Sequence, residues 1–257
     1  MSRLHEATKQ GDIVEVRKLL AECADANSLD EEGETPLFTP CRRGHVEIVK
    51  LLLENGANIE ARDRSEWTPL MKAAYASTYH LLILLREKGL DINPNNLEDD
   101  APLRRIAYHG NTITVRLLLE KGANANAKDI IGSTPLIYAV HWGHIEAIKL
   151  LLEYGADVNA KNNYGYTALL WATYMGYSSS AYLLLDKGAD INAKENKGFT
   201  PLIFAAQQRK AKLAKSLIER GADINARTNA DRTALRWAIT RRSTEIADLL
   251  RKAGAKE

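Results

Sequence analysis

The chain has 257 residues, 45% of them hydrophobic and 26% charged, with a formal net charge of +2. Its two cysteines, Cys23 and Cys41, exclude a disulfide framework, and no apolar run approaches the roughly 18–20 residues that span a bilayer. Met1-Ser2-Arg3-Leu4-His5-Glu6 lacks the basic-then-apolar pattern of a secretory leader, so the expected compartment is the cytoplasm.

In chain order, one short motif returns every 33 residues. It begins as Thr35-Pro36-Leu37 and comes back as Thr68-Pro69-Leu70, Ala101-Pro102-Leu103 and Thr134-Pro135-Leu136. Thr167-Ala168-Leu169, Thr200-Pro201-Leu202 and Thr233-Ala234-Leu235 follow in the same phase. A second motif keeps step: Gly56-Ala57-Asn58, Gly122-Ala123-Asn124, Gly155-Ala156-Asp157, Gly188-Ala189-Asp190 and Gly221-Ala222-Asp223. A fixed period of about 20–50 residues marks a stacked solenoid. Each unit then contacts its neighbours, and the long surface serves binding rather than a central cleft.

The stretch Asp129 to Lys161 shows what one unit encodes. Thr134 is a capping residue and Pro135 suits the first helical position. Leu136, Ala139 and Val140 give a stripe at i, i+3, i+4, and Gly143 ends this helix in a left-handed conformation. Ile145, Ile148, Leu151 and Leu152 mark one face of a second helix, which Gly155 stops. Asp157-Val158-Asn159-Ala160 runs extended toward the next turn. Both helices are too short to persist alone; stacking of their Leu and Ala faces must hold them.

The pattern T-P-L-x-x-A, G-H-x-E, x-L-L-L-E-x-G-A-D-x-N resembles the ankyrin repeat and covers essentially the whole chain. The resemblance implies an all-α fold, an ankyrin-repeat solenoid of stacked helix-turn-helix units with projecting β-hairpin loops. It implies one domain, 1–257, of eight repeats: about 1–30, 31–63, 64–96, 97–129, 130–162, 163–195, 196–228 and 229–257. The first and last carry polar residues (Lys9, Gln10, Lys18; Thr240, Arg241, Arg242, Asp248, Lys252) expected of caps. Cys41 stands where other units carry Ala and reads as a small buried hydrophobe. Cys23 replaces the glycine that ends the second helix.

The third and fourth units depart most from the pattern. Ser77 replaces a glycine, Tyr79-His80 an apolar-acid pair, and Leu90 and Pro94 alanines. Arg104 and Arg105 take apolar or small positions, and Ile113 and Thr114 look exchanged between exposed and buried slots. Drift in a tolerant scaffold and reshaping around a ligand both account for this.

By phase with the ankyrin pattern, the concave groove is formed by hairpin tips and the exposed face of each first helix. Those positions are Trp67, Tyr75, Tyr108, His109, Ile130, Ile131, His141, Trp142, Tyr164, Tyr166, Tyr174, Met175 and Phe199, with Tyr138, Trp171, Phe204 and Trp237 just behind. Contiguous aromatic surface and Trp/Tyr hot spots point to a protein interface; packing on neighbouring hairpins is the alternative. Glu31, Glu32, Glu34, Asp99 and Asp100 make the early hairpin tips acidic, while Arg232 and Arg241 belong to a basic C-terminal end. Such a gradient orients and steers a partner.

Chemical motifs are missing. His141 and His144 have no further ligand at metal spacing, and His144 shares the G-H position of His45. There is no G-x-S-x-G and no phosphate loop. The expected function is a non-catalytic protein-binding module, monomeric alone, with no cofactor or metal, that inhibits, masks or recruits a protein partner in its groove. The alternatives are a nucleotide or short-oligonucleotide sensor, using groove aromatics with Arg104 or Arg105, and a purely structural scaffold.

Overall fold

The structure is a computed structural model and describes residues 2–76, 78 and 102–256. Ser77, Tyr79, His80, Leu90, Pro94, Asp99, Asp100 and Ala101 lie outside the described residues, with whatever the sequence suggests for them. The chain divides into two compact units, Met1–Asp129 and Ile130–Glu257. All regular elements among the described residues are helices.

The first unit contains α1 (Arg3–Gln10), α2 (Ile13–Ala21), α3 (Phe38–Arg43), α4 (Val46–Glu54), α5 (Pro69–Tyr75), α6 (Pro102–His109) and α7 (Thr112–Glu120). The second contains α8 (Pro135–His141), α9 (Ile145–Glu153), α10 (Ala168–Met175), α11 (Ser178–Asp186), α12 (Pro201–Gln207), α13 (Ala211–Glu219), α14 (Ala234–Thr240) and α15 (Thr244–Lys252). In the first unit α1, α3, α5 and α6 pack in series, with α2 against α4. In the second, α8, α10, α12 and α14 pack in series, with α9 against α11 and α13 against α15.

The Thr-Pro signal works as read. The hydroxyls of Thr68, Thr134, Thr167, Thr200 and Thr233 accept the N–H three residues on, each such cap contributing about 1 kcal/mol. Thr35 is the exception. Its hydroxyl is buried without a partner among the described residues, and α3 begins only at Phe38. Pro40 explains the delay, because it lacks an N–H and its ring clashes with the carbonyl four residues back. A late start places Pro40 in the first turn, where neither matters.

The stack is held by the motif leucines. Leu37, Leu70 and Leu103 of the first unit are buried, as are Leu136, Leu169, Leu202 and Leu235 of the second, each worth about 1.5–3 kcal/mol of burial. Ile113 and Thr114 are exchanged as the sequence suggests: Ile113 is 65% exposed and Thr114 fully buried. Asparagines tie successive repeats. Asn159 donates to Gly188 O at 3.2 Å and accepts the Asp190 N–H at 2.7 Å; Asn27 does the same with Gly56 and Asn58.

The hairpin loops are tight turns rather than ladders. Two backbone bonds close each, as in Asp63 N–H to Trp67 O (3.0 Å) with Glu66 N–H to Asp63 O (2.9 Å), and Asn162 N–H to Tyr166 O (3.1 Å) with Gly165 N–H to Asn162 O (2.9 Å), and one more reaches the preceding hairpin, as in Asn163 N–H to Ile131 O (2.8 Å). A side chain at the hairpin's base takes up the remaining donors. Asp30, Asp63, Asn162 and Glu195 each accept two backbone N–H groups of their own hairpin at 2.9–3.0 Å. This fixes the residue just before each capping threonine, which is the position on which the site is built.

Candidate functional site

Three positions per repeat converge: the residue before the capping threonine, and the fourth and seventh residues after it. The last two are three apart on one helix face and are therefore neighbours. In the second unit they supply Tyr166, Phe199, Trp171, Phe204, Trp237, His141 and Tyr174. The rings join into one array. His141 meets Trp171 at 4.8 Å between centroids, and Trp171 stacks on Tyr166 at 4.6 Å. Tyr166 stacks on Phe204 at 6.1 Å, Phe204 on Phe199 at 4.9 Å, and Phe199 leans on Trp237 at 5.9 Å. Tyr174 sits edge-on to Trp171 and Phe204, and Trp142 edge-on to His141.

Depth divides this set. Phe204 is buried with Leu170 and Ala193, and Tyr166 and Phe199 are partly buried against them. Trp142, Tyr164, Tyr174 and Met175 are exposed, at 47%, 56%, 39% and 37%. Ile131 is half-buried and offers its carbonyl to Asn163. The inner rings are a rigid spine; the outer ones present its surface. Burial raises the Tyr166 phenol to about 12, with the Glu195 carboxylate and Tyr174 adding to the shift. Arg232 and Arg241 place their guanidinium carbons 5.2 and 5.7 Å from the Trp237 ring centroid.

The first unit has its own smaller cluster. Trp67 and Tyr75 lie edge to face at 6.0 Å, Tyr75 and His109 at 5.4 Å, and His109 and Tyr108 at 5.0 Å. The position four after the threonine is cationic here. Arg105 lies over Trp67 at 5.1 Å and over Tyr75 at 4.9 Å, and Lys72 over Trp67 at 5.0 Å. Arg104 is buried, with Nε 3.9 Å from Asp129, which is how a cation fits at an apolar position.

The structure corrects the expected acidic tip in one place. Glu31 and Glu32 are exposed, but Glu34 is only 4% exposed. It occupies the position of Trp67, Tyr166 and Phe199, which turns inward. Its carboxylate is 3.0 Å from Lys72 and 3.6 Å from Arg42. Glu34 is therefore a structural anion and leaves the surface charge to its neighbours. Carboxylate oxygens of Asp30, Glu32 and Glu34 come within 4.8 Å of one another. Asp30 already binds two backbone N–H groups there, and Glu34 its two cations.

Sequence phase found the outer rings but ranked Trp171, Phe204 and Trp237 behind them, singled out Arg105 only as a departure from the pattern and a phosphate-holding alternative, and passed over Lys72. The signal was present: all five stand four residues after the threonine position, in register with each other.

A family model described as ankyrin repeats (3 copies) matches residues 4–96, 83–162 and 103–195. A second, ankyrin repeats (many copies), matches residues 184–238. No curated protein matches the chain. No described helix is long and apolar enough to cross a membrane.

Proposed function

The chain belongs to the ankyrin repeat family, which indicates a protein–protein interaction module, and we propose that it is a non-catalytic one whose ring face clasps a protein partner in order to inhibit, mask or recruit it. The observation that supports this is the division of the second unit's array. Trp142, Tyr164, Tyr174 and Met175 stand exposed on a spine already locked by stacking. Large aromatic side chains held rigid before binding lose little entropy on association, and they are the residue types that dominate hot spots. The first unit offers Tyr75 and His109 in the same role.

Base stacking by a nucleotide has less support. Tyr166 and Trp171 already stack on one another, and Phe204 on Phe199, so the inner ring faces are occupied.

The test is capture of binding proteins from a source lysate by wild type and by Trp142→Ala/Tyr174→Ala, both checked for an intact helical fold. A protein held by wild type and lost from the variant, at roughly 2 kcal/mol or more per hot spot, supports the reading. Equal capture by both removes the ring face from consideration.

A further inference from the structure

The basic end of the second unit adds partner chemistry to the reading above, on which this inference rests. Residues 196–257 hold fourteen lysines and arginines against six acids, although the whole chain is nearly neutral. Three of the six acids have cation partners of their own: Asp231 with Arg227, Glu219 with Lys215 and Asp248 with Arg251. Among the described residues no carboxylate pairs with Arg232, Arg236 or Arg241. A trough runs past Arg232 and Arg236, and Arg241 flanks it on the Trp237 ring. One cavity of about 410 Å³ is walled by Phe199, Trp237, Arg232, Lys197 and Asn229. A second, about 540 Å³, adds Arg236, Thr240 and the paired Arg227 and Asp231, and shares Ala230 and Arg232 with the first. Both volumes fall in the range of roughly 300–1,000 Å³ typical of ligand sites.

We propose that Phe199, Arg232, Trp237 and Arg241 form a site for an acidic peptide segment that carries an aromatic side chain. Two cations held against one indole are preorganised: the ring is attracted to the guanidinium face, and the in-plane N–H groups stay available for carboxylates. Charge complementarity selects the acids, since each carboxylate meets a cation without a competing partner. The wall of Phe199 and Trp237 takes the aromatic side chain. A nucleic acid fits less well. Phe199 already stacks on Phe204, and Trp237 carries two guanidiniums, so the cavity offers one short aromatic wall, enough for a single side chain and too small to stack successive bases.

The test titrates the full chain with a capped peptide of one phenylalanine flanked by glutamates, its glutamine counterpart, and a single-stranded oligothymidylate. The acidic peptide is expected to bind and to weaken with added salt. The glutamine peptide should bind about tenfold more weakly or worse, and Arg232→Gln/Arg241→Gln, with its helical melt unchanged, should lose the acidic peptide to the same degree. Trp142→Ala/Tyr174→Ala should keep it. Equal binding of both peptides, full binding by the arginine variant, or tighter binding of the oligothymidylate each overturns the proposal. A captured protein lost from Trp142→Ala/Tyr174→Ala but kept by Arg232→Gln/Arg241→Gln would overturn this site alone and leave the ring-face reading standing. A peptide site that behaves as expected, with lysate capture indifferent to Trp142 and Tyr174, would do the reverse.

Discussion

Lys72 Nζ on α5 lies 3.0 Å from a carboxylate oxygen of Glu34, which belongs to the preceding hairpin. The same ammonium is 2.8 Å from Asp63 of its own hairpin and 5.0 Å from the Trp67 ring centroid. One cation thus links two hairpins beneath the first unit's rings. Removing it leaves two carboxylates buried together. Lys72→Met should destabilise the protein by about 3–5 kcal/mol, read as a lowered urea midpoint. A change within experimental error would mean that water reaches and screens the pair.

The two halves of the second unit's ring array should respond differently to truncation. Trp171 touches His141, Tyr166 and Tyr174, so Trp171→Ala should cost about 2–3 kcal/mol of stability. Trp142 is half exposed and meets the His141 ring edge-on; Trp142→Ala should cost under about 1 kcal/mol. Denaturant unfolding of both variants checks the order. Equal losses would make Trp142 a packing residue and weaken its place in any interface.

Tyr166 gives the fold a sensitivity to alkali. Its phenol keeps its proton to about 12 in the folded state, against the ordinary value of 10.0. The contribution is therefore fully present below pH 10 and is lost as pH rises through 12, because the unfolded chain releases the proton first. Unfolding free energy should fall over that window, and fall less in Tyr166→Phe. Phenolate absorbance of the native protein, compared with that variant, follows the same group directly.

The thiols should separate cleanly. Cys41 is fully buried, and that burial pushes its thiol far above the ordinary range, whereas Cys23 is exposed. A maleimide should modify one site per native chain, at Cys23, and two after denaturation. Rapid modification of Cys41 under native conditions would show local opening of the repeat containing α3.

Gly165 is required by geometry at two levels. It sits at φ 79°, and a Cβ there would meet Asn196 N at 2.9 Å and Glu195 Cα at 2.9 Å, both in the next hairpin. Gly56 has a similar φ of 80° with open space around it. Gly165→Ala should therefore cost more than Gly56→Ala, roughly 2 kcal/mol or more against about 1. Thermal melts of the pair test this, and equal shifts would mean that the hairpins yield without cost.

The sequence by itself determined the period, the helix pairs and the start of nearly every first helix. These depend on interactions within a few residues: a threonine capping the N–H three residues on, a proline at the first helical position, leucines three and four apart. Even the delayed start of α3 was encoded locally, in Pro40. Phase also set which columns of residues share a face, so the outer rings Trp142, Tyr164 and Tyr174 were legible. The tertiary structure decided depth and partnership within those columns. Glu34, Trp67, Tyr166 and Phe199 hold one position, yet one is a buried anion and the others are packed rings. What each meets is supplied by the neighbouring hairpin and by the fourth residue of a helix in its own or the next repeat: Lys72 for Glu34 and Trp67, Trp171 for Tyr166, Phe204 for Tyr166 and Phe199. Burial and pairing arise between repeats, where local pattern carries no information about which side chain will stand opposite.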